Sequence, residues 1–313
     1  MAAHHELHAS PTTVHWGFFD ARLPPVLRVE SGDRVTFHCL TAEPEDLPPD
    51  PSWVLPELRE VHAHCERGPG PHFMTGPVWV EGAEPGDALE VRILDCRLRQ
   101  DWGWNLIAPL LGSLPEDFPR LRRLHLPIDR AAMVARLPWG AAVPLRPFFG
   151  VIGVAPPAAY GRITSIVPRE HGGNLDNKEL VPGATLYLPV WNRGALLSVG
   201  DGHAVQGDGE VCLTAIEAAV SGALELIVRK DLALRFPRAE TPTHWITMGL
   251  DPDLDDAAKQ ALREMIALLG ELAGLAPEDA YTLCSIAADL RVTQLVDGNK
   301  GIHAMLPKSV LER

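Results

Sequence analysis

The sequence predicts a mostly β fold, with sheets packed as a sandwich or barrel and an α+β part at the C-terminus. Two observations carry this. Glycine (27) and proline (29) are abundant and fall between short runs in which apolar and polar residues alternate, as strands separated by tight turns require. From about Asp251 onward the apolar spacing changes from two to three and four, the period of a helix.

The elements follow in chain order. Met1 to Thr13 is polar and His-rich and reads as a flexible tail carrying His4, His5 and His8. It has no apolar h-region, so no signal peptide is expected. Val26-Leu27-Arg28-Val29, the turn Ser31-Gly32-Asp33, and Val35 with Phe37 read as a hairpin. Val78-Trp79-Val80-Glu81, Pro85-Gly86-Asp87, and Leu89, Val91 and Ile93 repeat the scheme. A weaker third copy runs from Leu180-Val181-Pro182-Gly183 through Leu186 to Val190. Recurring strand–glycine–strand units suit a sandwich or barrel.

Residues 99–150 are rich in Pro, Leu and Trp without a clean period, and are expected to be loops and short helices that elaborate the sheet. Strands 184–191 and 195–200 are expected to pair around Asn192-Arg193-Gly194. Ala223 to Lys230 and Thr247 supply further strand material. Ala258, Leu262, Met265, Leu269 and Leu272 predict an amphipathic helix over 255–273 that covers the sheet. Asp253, Asp255 and Asp256 open it and Gly274 closes it. A second helix runs from Pro277 to about Asp289, and Arg291 to Val296 is a strand. The expected organisation is a β-rich core over 14–245 with the 99–150 insertion. An α+β segment over 246–308 packs on that core or intertwines with it as one domain.

Composition bounds the function. At 46% apolar residues the chain can bury a sizeable core. A net charge of -13 argues against nucleic acid or a polybasic membrane role. The five cysteines are widely spaced with no CxxC, so no disulfide framework is expected and a reducing, cytoplasmic compartment fits. No apolar run reaches the roughly 18 residues a membrane span needs.

The stretch from Gly200 to Cys212 is the most informative. It sets Asp201, His203, Asp208 and Glu210 among four glycines. Carboxylates and an imidazole bind divalent metals or move protons. The glycines allow positive φ and a close backbone approach to a small ligand. A second polar cluster, Asn174-Leu175-Asp176-Asn177-Lys178-Glu179, follows Gly172-Gly173. If strands 184–191 and 195–200 pair, Asp176 can approach Asp201 and His203. His72 is fixed on the stiff turn Gly68-Pro69-Gly70-Pro71, and His15 sits in Val14-His15-Trp16-Gly17. A lone histidine is more often structural than a ligand. There is no G-x-S-x-G, H-E-x-x-H, phosphate-binding loop or Gly-Gly-Ser-Ser stretch. Cys212 alternates with Val211 and Leu213 and reads as buried strand packing, so an activated water is the expected nucleophile.

In these residues the chain resembles the acetamidase/formamidase family. The resemblance rests on Gly200-Asp201-Gly202-His203-Ala204 through Gln206-Gly207-Asp208-Gly209-Glu210-Val211-Cys212, and on Gly172 to Leu180. Thr75-Gly76-Pro77-Val78, Gly82 to Asp95, and Asp297-Gly298-Asn299-Lys300-Gly301 extend it over most of Val14 to Lys308. Leu213 departs from it, because the family often has a smaller residue after the cysteine, and this is expected to change packing or pocket size.

The resemblance implies hydrolysis of short aliphatic amides such as formamide and acetamide to ammonia and a carboxylate. It also implies a divalent metal, zinc before calcium, and a homo-oligomer, dimer or higher. Asp176, Asp201 and His203, with His72, are the expected metal ligands. Glu210 or Asp208 is the expected proton acceptor and donor, and Lys178 or Gln206 the expected oxyanion partner. Three other readings stay open: a metal-independent hydrolase using Glu210 and Lys178, a cupin-like module that binds small amides without turnover, and a calcium site that only stiffens loops.

Overall fold

The computed structural model describes residues 2–311. Two large sheets face each other. The ten-stranded sheet runs His4–His8, Arg34–His38, Val220–Arg229, Ala88–Ile93, Thr185–Pro189, Arg238–Glu240, His244–Asp251, Lys300–Pro307 and Asp289–Gln294, with Arg97–Leu98 beside Val220–Arg229. The eleven-stranded sheet runs Ala142–Pro144, Val134–Arg136, Arg122–Asp129, Trp102–Ile107, Ile216–Glu217, Leu197–Val205, Phe148–Gly153 and Gly172–Asn174. Phe73–Val80 also joins Leu197–Val205 and carries Val14–Trp16 and Leu27–Val29.

The alternating residues fill the space between the sheets. Val35, Phe37, Val91, Leu186 and Leu226 meet Val78, Ile152, Val199 and Ala204 in one buried cluster. Each Val, Leu, Ile or Phe side chain so buried stabilises the fold by roughly 1.5–3 kcal/mol.

The expected hairpins are corners instead. Leu27–Val29 pairs with Phe73–Val80 in one sheet, whereas Arg34–His38 lies in the other. Phe73–Val80 and Ala88–Ile93 are likewise split between the sheets, and so are Thr185–Pro189 and Leu197–Val205. Gly32, Gly86 and Gly194 take the chain across at φ 97°, 96° and 76°. Alternation states which face of a strand is buried, not which strand it pairs with.

Two other expectations change. Residues 99–150 hold five strands, Trp102–Ile107, Arg122–Asp129, Val134–Arg136, Ala142–Pro144 and the start of Phe148–Gly153, and no helix among the described residues. The histidine-rich N-terminus is a strand, His4–His8, parallel to Arg34–His38. Leu7 anchors it in the core, and His8 stacks on His38 at 4.2 Å.

The C-terminal elements come close to expectation. The helix Leu254–Ala273 is capped by Asp253, which accepts from Asp255 N and Asp256 N, and it ends at Gly274 with φ 66°. The next helix is Pro277–Ala287, and the strand after it is Asp289–Gln294. The long helix lies on His244–Asp251 and Lys300–Pro307, which continue the ten-stranded sheet. A Cβ on Gly249 would come 1.8 Å from Ala257 O, so only glycine permits this approach. Among the described residues no helix is long and apolar enough to cross a membrane.

Candidate active site

Leu197–Val205 is buried from Leu197 to Ala204 and holds both Asp201 and His203. These residues are therefore strand residues, not the loop that four nearby glycines suggested. On one side Phe148–Gly153 pairs His203 with Phe148 and Gly200 with Val151. On the other, Glu217 faces His203.

Asp176 reaches the site by a different route from the expected hairpin. Gly172–Asn174 pairs with Phe148–Gly153, and Asp176 N donates to Gly150 O at 3.1 Å. Phe148–Gly153 is thus the shared neighbour that brings Asp176 to Asp201. Glu210 and Asp297 arrive through a bridge between Gly209 and Gln294. Asp176, Asp201 and Glu210 have φ of 45°, 51° and 45°. This left-handed region is uncommon for side-chain-bearing residues and clusters at functional sites.

The side chains converge on His203 Nε2. Asp201 Oδ2 lies at 3.0 Å, Glu217 Oε2 at 3.3 Å, Asp176 Oδ1 at 3.6 Å and Glu210 Oε1 at 4.0 Å. Gln206 orients the ring. Its Nε2 donates to Asp176 O at 2.7 Å and Thr293 O at 3.3 Å, so its Oε1 faces His203 Nδ1 at 2.9 Å. Nδ1 therefore carries a proton, and Nε2 turns to the carboxylates with either a second proton or a metal. Gly150 leaves the room this needs, since a Cβ there would lie 2.3 Å from Asp176 Oδ1 and 2.4 Å from Asp201 Oδ2.

Burial dominates the electrostatics. It pushes the Asp176 carboxyl up to about 6 and that of Glu217 up to about 8, against the pull of His203. Burial, then the negative charge of Asp176, drives Glu210 and Asp297 well above the carboxylate range. Burial would raise Asp201 too, but His203 and His72 outweigh it and hold Asp201 below its usual range. Burial disfavours the His203 cation, yet Glu217 and Asp201 lift the imidazole well above its usual value.

Five buried carboxylates around one imidazole are too many anions to leave uncompensated, since each costs several kcal/mol. They take up protons or a divalent cation. Asp176 Oδ1, Glu210 Oε2 and Asp297 Oδ2 have no hydrogen-bond partner among the described residues. Two buried trios, Asp176–His203–Glu210 and Asp201–His203–Glu217, keep their ligand atoms within 4.8 Å. The donor set and its orphaned oxygens fit a divalent ion.

The remaining candidates fall at varying distances. His72 Nε2 lies 4.0 Å from Asp201 Oδ2, at the edge of the cluster, and its Nδ1 meets Ser165 Oγ at 2.9 Å. It is in neither trio. Lys178 Nζ and Asp208 Oδ2 pair with each other at 3.0 Å. Asp208 lines a second cavity of about 470 Å³, and Glu210 borders both. His15 is structural: its Nδ1 donates to Phe18 O at 2.6 Å, its Nε2 meets Ser198 Oγ at 2.9 Å, and burial lowers its pKa to about 4. Cys212 is not in a strand. It lies part-buried in a turn, where Asn105 Nδ2 donates to its Sγ at 3.2 Å.

Glu217 and Asp297 are the residues sequence reasoning missed. Glu217 had a signal, a lone acid inside the apolar run Ala215-Ile216-Glu217-Ala218-Ala219. Asp297 opens a glycine-containing motif, Asp297-Gly298-Asn299, of the same style as the other two.

The carboxylates line one part of a cavity of about 280 Å³, and Leu40, Trp104, Leu106, Leu111, Ile166 and Leu213 wall much of the rest.

The model of the Acetamidase/Formamidase family matches residues 3–162 and 158–313. The formamidase of Methylophilus methylotrophus is 31% identical over 250 residues, 60% of this chain and 61% of that protein. The acetamidase of Mycolicibacterium smegmatis is 29% identical over 200 residues, 45% of this chain and 49% of that protein. The chain thus spans about half to three-fifths of the curated relatives it matches. Among solved structures, a predicted acetamidase/formamidase from the thermophile Thermoanaerobacter tengcongensis superposes with TM-score 0.88 at 31% identity, over 100% of this chain and 98% of that one. The acetamidase of Bacillus halodurans gives TM-score 0.83 at 34% identity, over 98% of each chain.

Proposed function

The chain belongs to the acetamidase/formamidase family, and from that premise we propose that it hydrolyses short aliphatic amides to ammonia and a carboxylate. The observation that carries this is the ring of buried carboxylates around His203 Nε2, with Asp201 at 3.0 Å and Glu217 at 3.3 Å, on one wall of a small cavity. Asp176, Asp201 and His203 would hold a divalent ion, with Glu217 as a further oxygen donor. When bound, such an ion supplies Lewis acidity, which polarises a carbonyl and makes water easier to deprotonate. Zinc is proposed before calcium, because His203 offers nitrogen and calcium prefers oxygen alone.

The residues supply the rest. Glu210, freed of its own proton once a cation compensates the cluster, takes a proton from the attacking water as the new carbon–oxygen bond forms. It then gives a proton to the amide nitrogen as the carbon–nitrogen bond breaks, because an amine leaves badly unprotonated. Gln206 keeps the His203 ring in one tautomer and one orientation. Lys178 and Asp208 satisfy each other in an ion pair and stand outside this scheme.

A second copy of the chain is the proposed partner, supported by the exposed Leu110, Leu114, Phe118 and Leu121 in one segment. Light scattering that finds only monomers at micromolar concentration would reject it.

The test of the activity is ammonia release from formamide, acetamide, propionamide and urea, before and after chelation and zinc repletion. Release that stops with chelator and returns with zinc is expected. No release from any of them rejects the proposal.

A further inference from the structure

Leu213 has φ of 118°, while the other positive-φ residues that carry a side chain lie between 45° and 76°. A value this large is nearly reserved for glycine, and a leucine there persists only where its surroundings over-determine it. They do. Leu213 N donates to Glu210 O at 3.1 Å. Asn105 Nδ2 is shared among Cys212 Sγ at 3.2 Å, Thr214 O at 3.0 Å, Thr214 Oγ1 at 3.1 Å and Ala215 O at 3.0 Å. Leu106 N donates to Thr214 Oγ1 at 2.9 Å. The strained residue lies between Glu210 and Glu217, which both supply carboxylates to the cluster, and it lines their cavity.

The size of that cavity gives the leucine a purpose. A cavity of about 280 Å³ has room for several waters. Formamide has three heavy atoms and acetamide four, so the space beyond the amide is large. Much of its wall is apolar, with Trp104, Leu106, Leu111, Ile166 and Leu213, although Thr41, Glu43 and Thr214 also line it.

We propose that Leu213 is a specificity-determining residue that sets the length of acyl chain the site accepts, and that the substrate class includes primary amides with an apolar acyl group larger than acetyl. This rests on the amide-hydrolase reading above. Leu213 touches the acyl group and not the carbonyl, so it governs which amide is turned over and not whether one is.

The experiment compares the full-length chain with L213G and L213A on acetamide, propionamide, butyramide and hexanamide, reading kcat/KM from ammonia release. One methylene in an apolar pocket changes kcat/KM by about 10-fold or more. L213G suits the backbone and opens the wall, so its hexanamide-to-acetamide ratio is expected to rise at least about tenfold. L213A, which keeps the strained Cβ, is expected to move the same way by less. Ratios within twofold of the parent chain for both variants would overturn the assignment of Leu213 while leaving the hydrolase reading intact. A parent chain that releases ammonia from none of the four would overturn the hydrolase reading itself.

Discussion

Gly150 offers the sharpest perturbation of the site. An alanine there places a methyl carbon 2.3 Å from Asp176 Oδ1, 2.4 Å from Asp201 Oδ2 and 3.0 Å from His203 Cε1. Non-bonded heavy atoms rest at roughly 3.5 Å or more. Both carboxylates must therefore retreat by about 1 Å. Gly150 is not among the positive-φ glycines, so the strand itself accepts an alanine. Overpacking of this kind costs about 1–3 kcal/mol, which a domain stable by roughly 5–15 kcal/mol survives. Function is expected to suffer more, because a 1 Å displacement of positioned groups can cost about 10²-fold. Gly150→Ala should thus fold, lose a little resistance to urea, and drop at least about 100-fold in kcat/KM for ammonia release. Urea titration, steady-state kinetics and metal content on the same preparation measure all three. Activity within threefold of the parent, with metal content unchanged, would refute the role given to the Asp176–Asp201 pair.

Other perturbations separate the site from its scaffold. Gln206→Ala removes both the acceptor for His203 Nδ1 and the donor to Asp176 O, and should weaken metal affinity about 10–100-fold by chelator competition; unchanged affinity would count against the orienting role. Asp201→Asn should abolish ammonia release while circular dichroism stays native; lower heat stability with full activity would instead mark a cation site that only stiffens the fold. Gly249→Ala would drive a methyl into Ala257 O, 1.8 Å away, and should cost about 1–3 kcal/mol in urea unfolding. An unchanged midpoint would show that the helix can shift freely on the sheet.

Much of the site was legible because its chemistry is local. Asp176, Asp201, His203 and Glu210 stand among glycines in two short motifs, and the three carboxylates meet His203 Nε2 within 4.0 Å. Glu217 and Asp297 were harder to see, because each is one acid brought in by long-range pairing. Glu217 depends on Ile216–Glu217 lying against Leu197–Val205, and Asp297 on the Gly209–Gln294 bridge. The same limit explains the corners read as hairpins around Gly32, Gly86 and Gly194. The C-terminal helix was legible almost to the residue, since its apolar period, Asp253 cap and Gly274 stop are all written within one segment. The strand His4–His8 was not, because only Leu7 is apolar and its pairing partner lies thirty residues on.

Anomalous diffraction at the zinc edge, from crystals of zinc-loaded protein active in ammonia release, tests the central claim most directly. A peak is expected about 2.0–2.1 Å from His203 Nε2, with carboxylate oxygens of Asp176, Asp201 or Glu217 at about 2.0–2.2 Å. A peak only elsewhere, such as at the Lys178–Asp208 pair, or no peak in a fully active crystal, would contradict it.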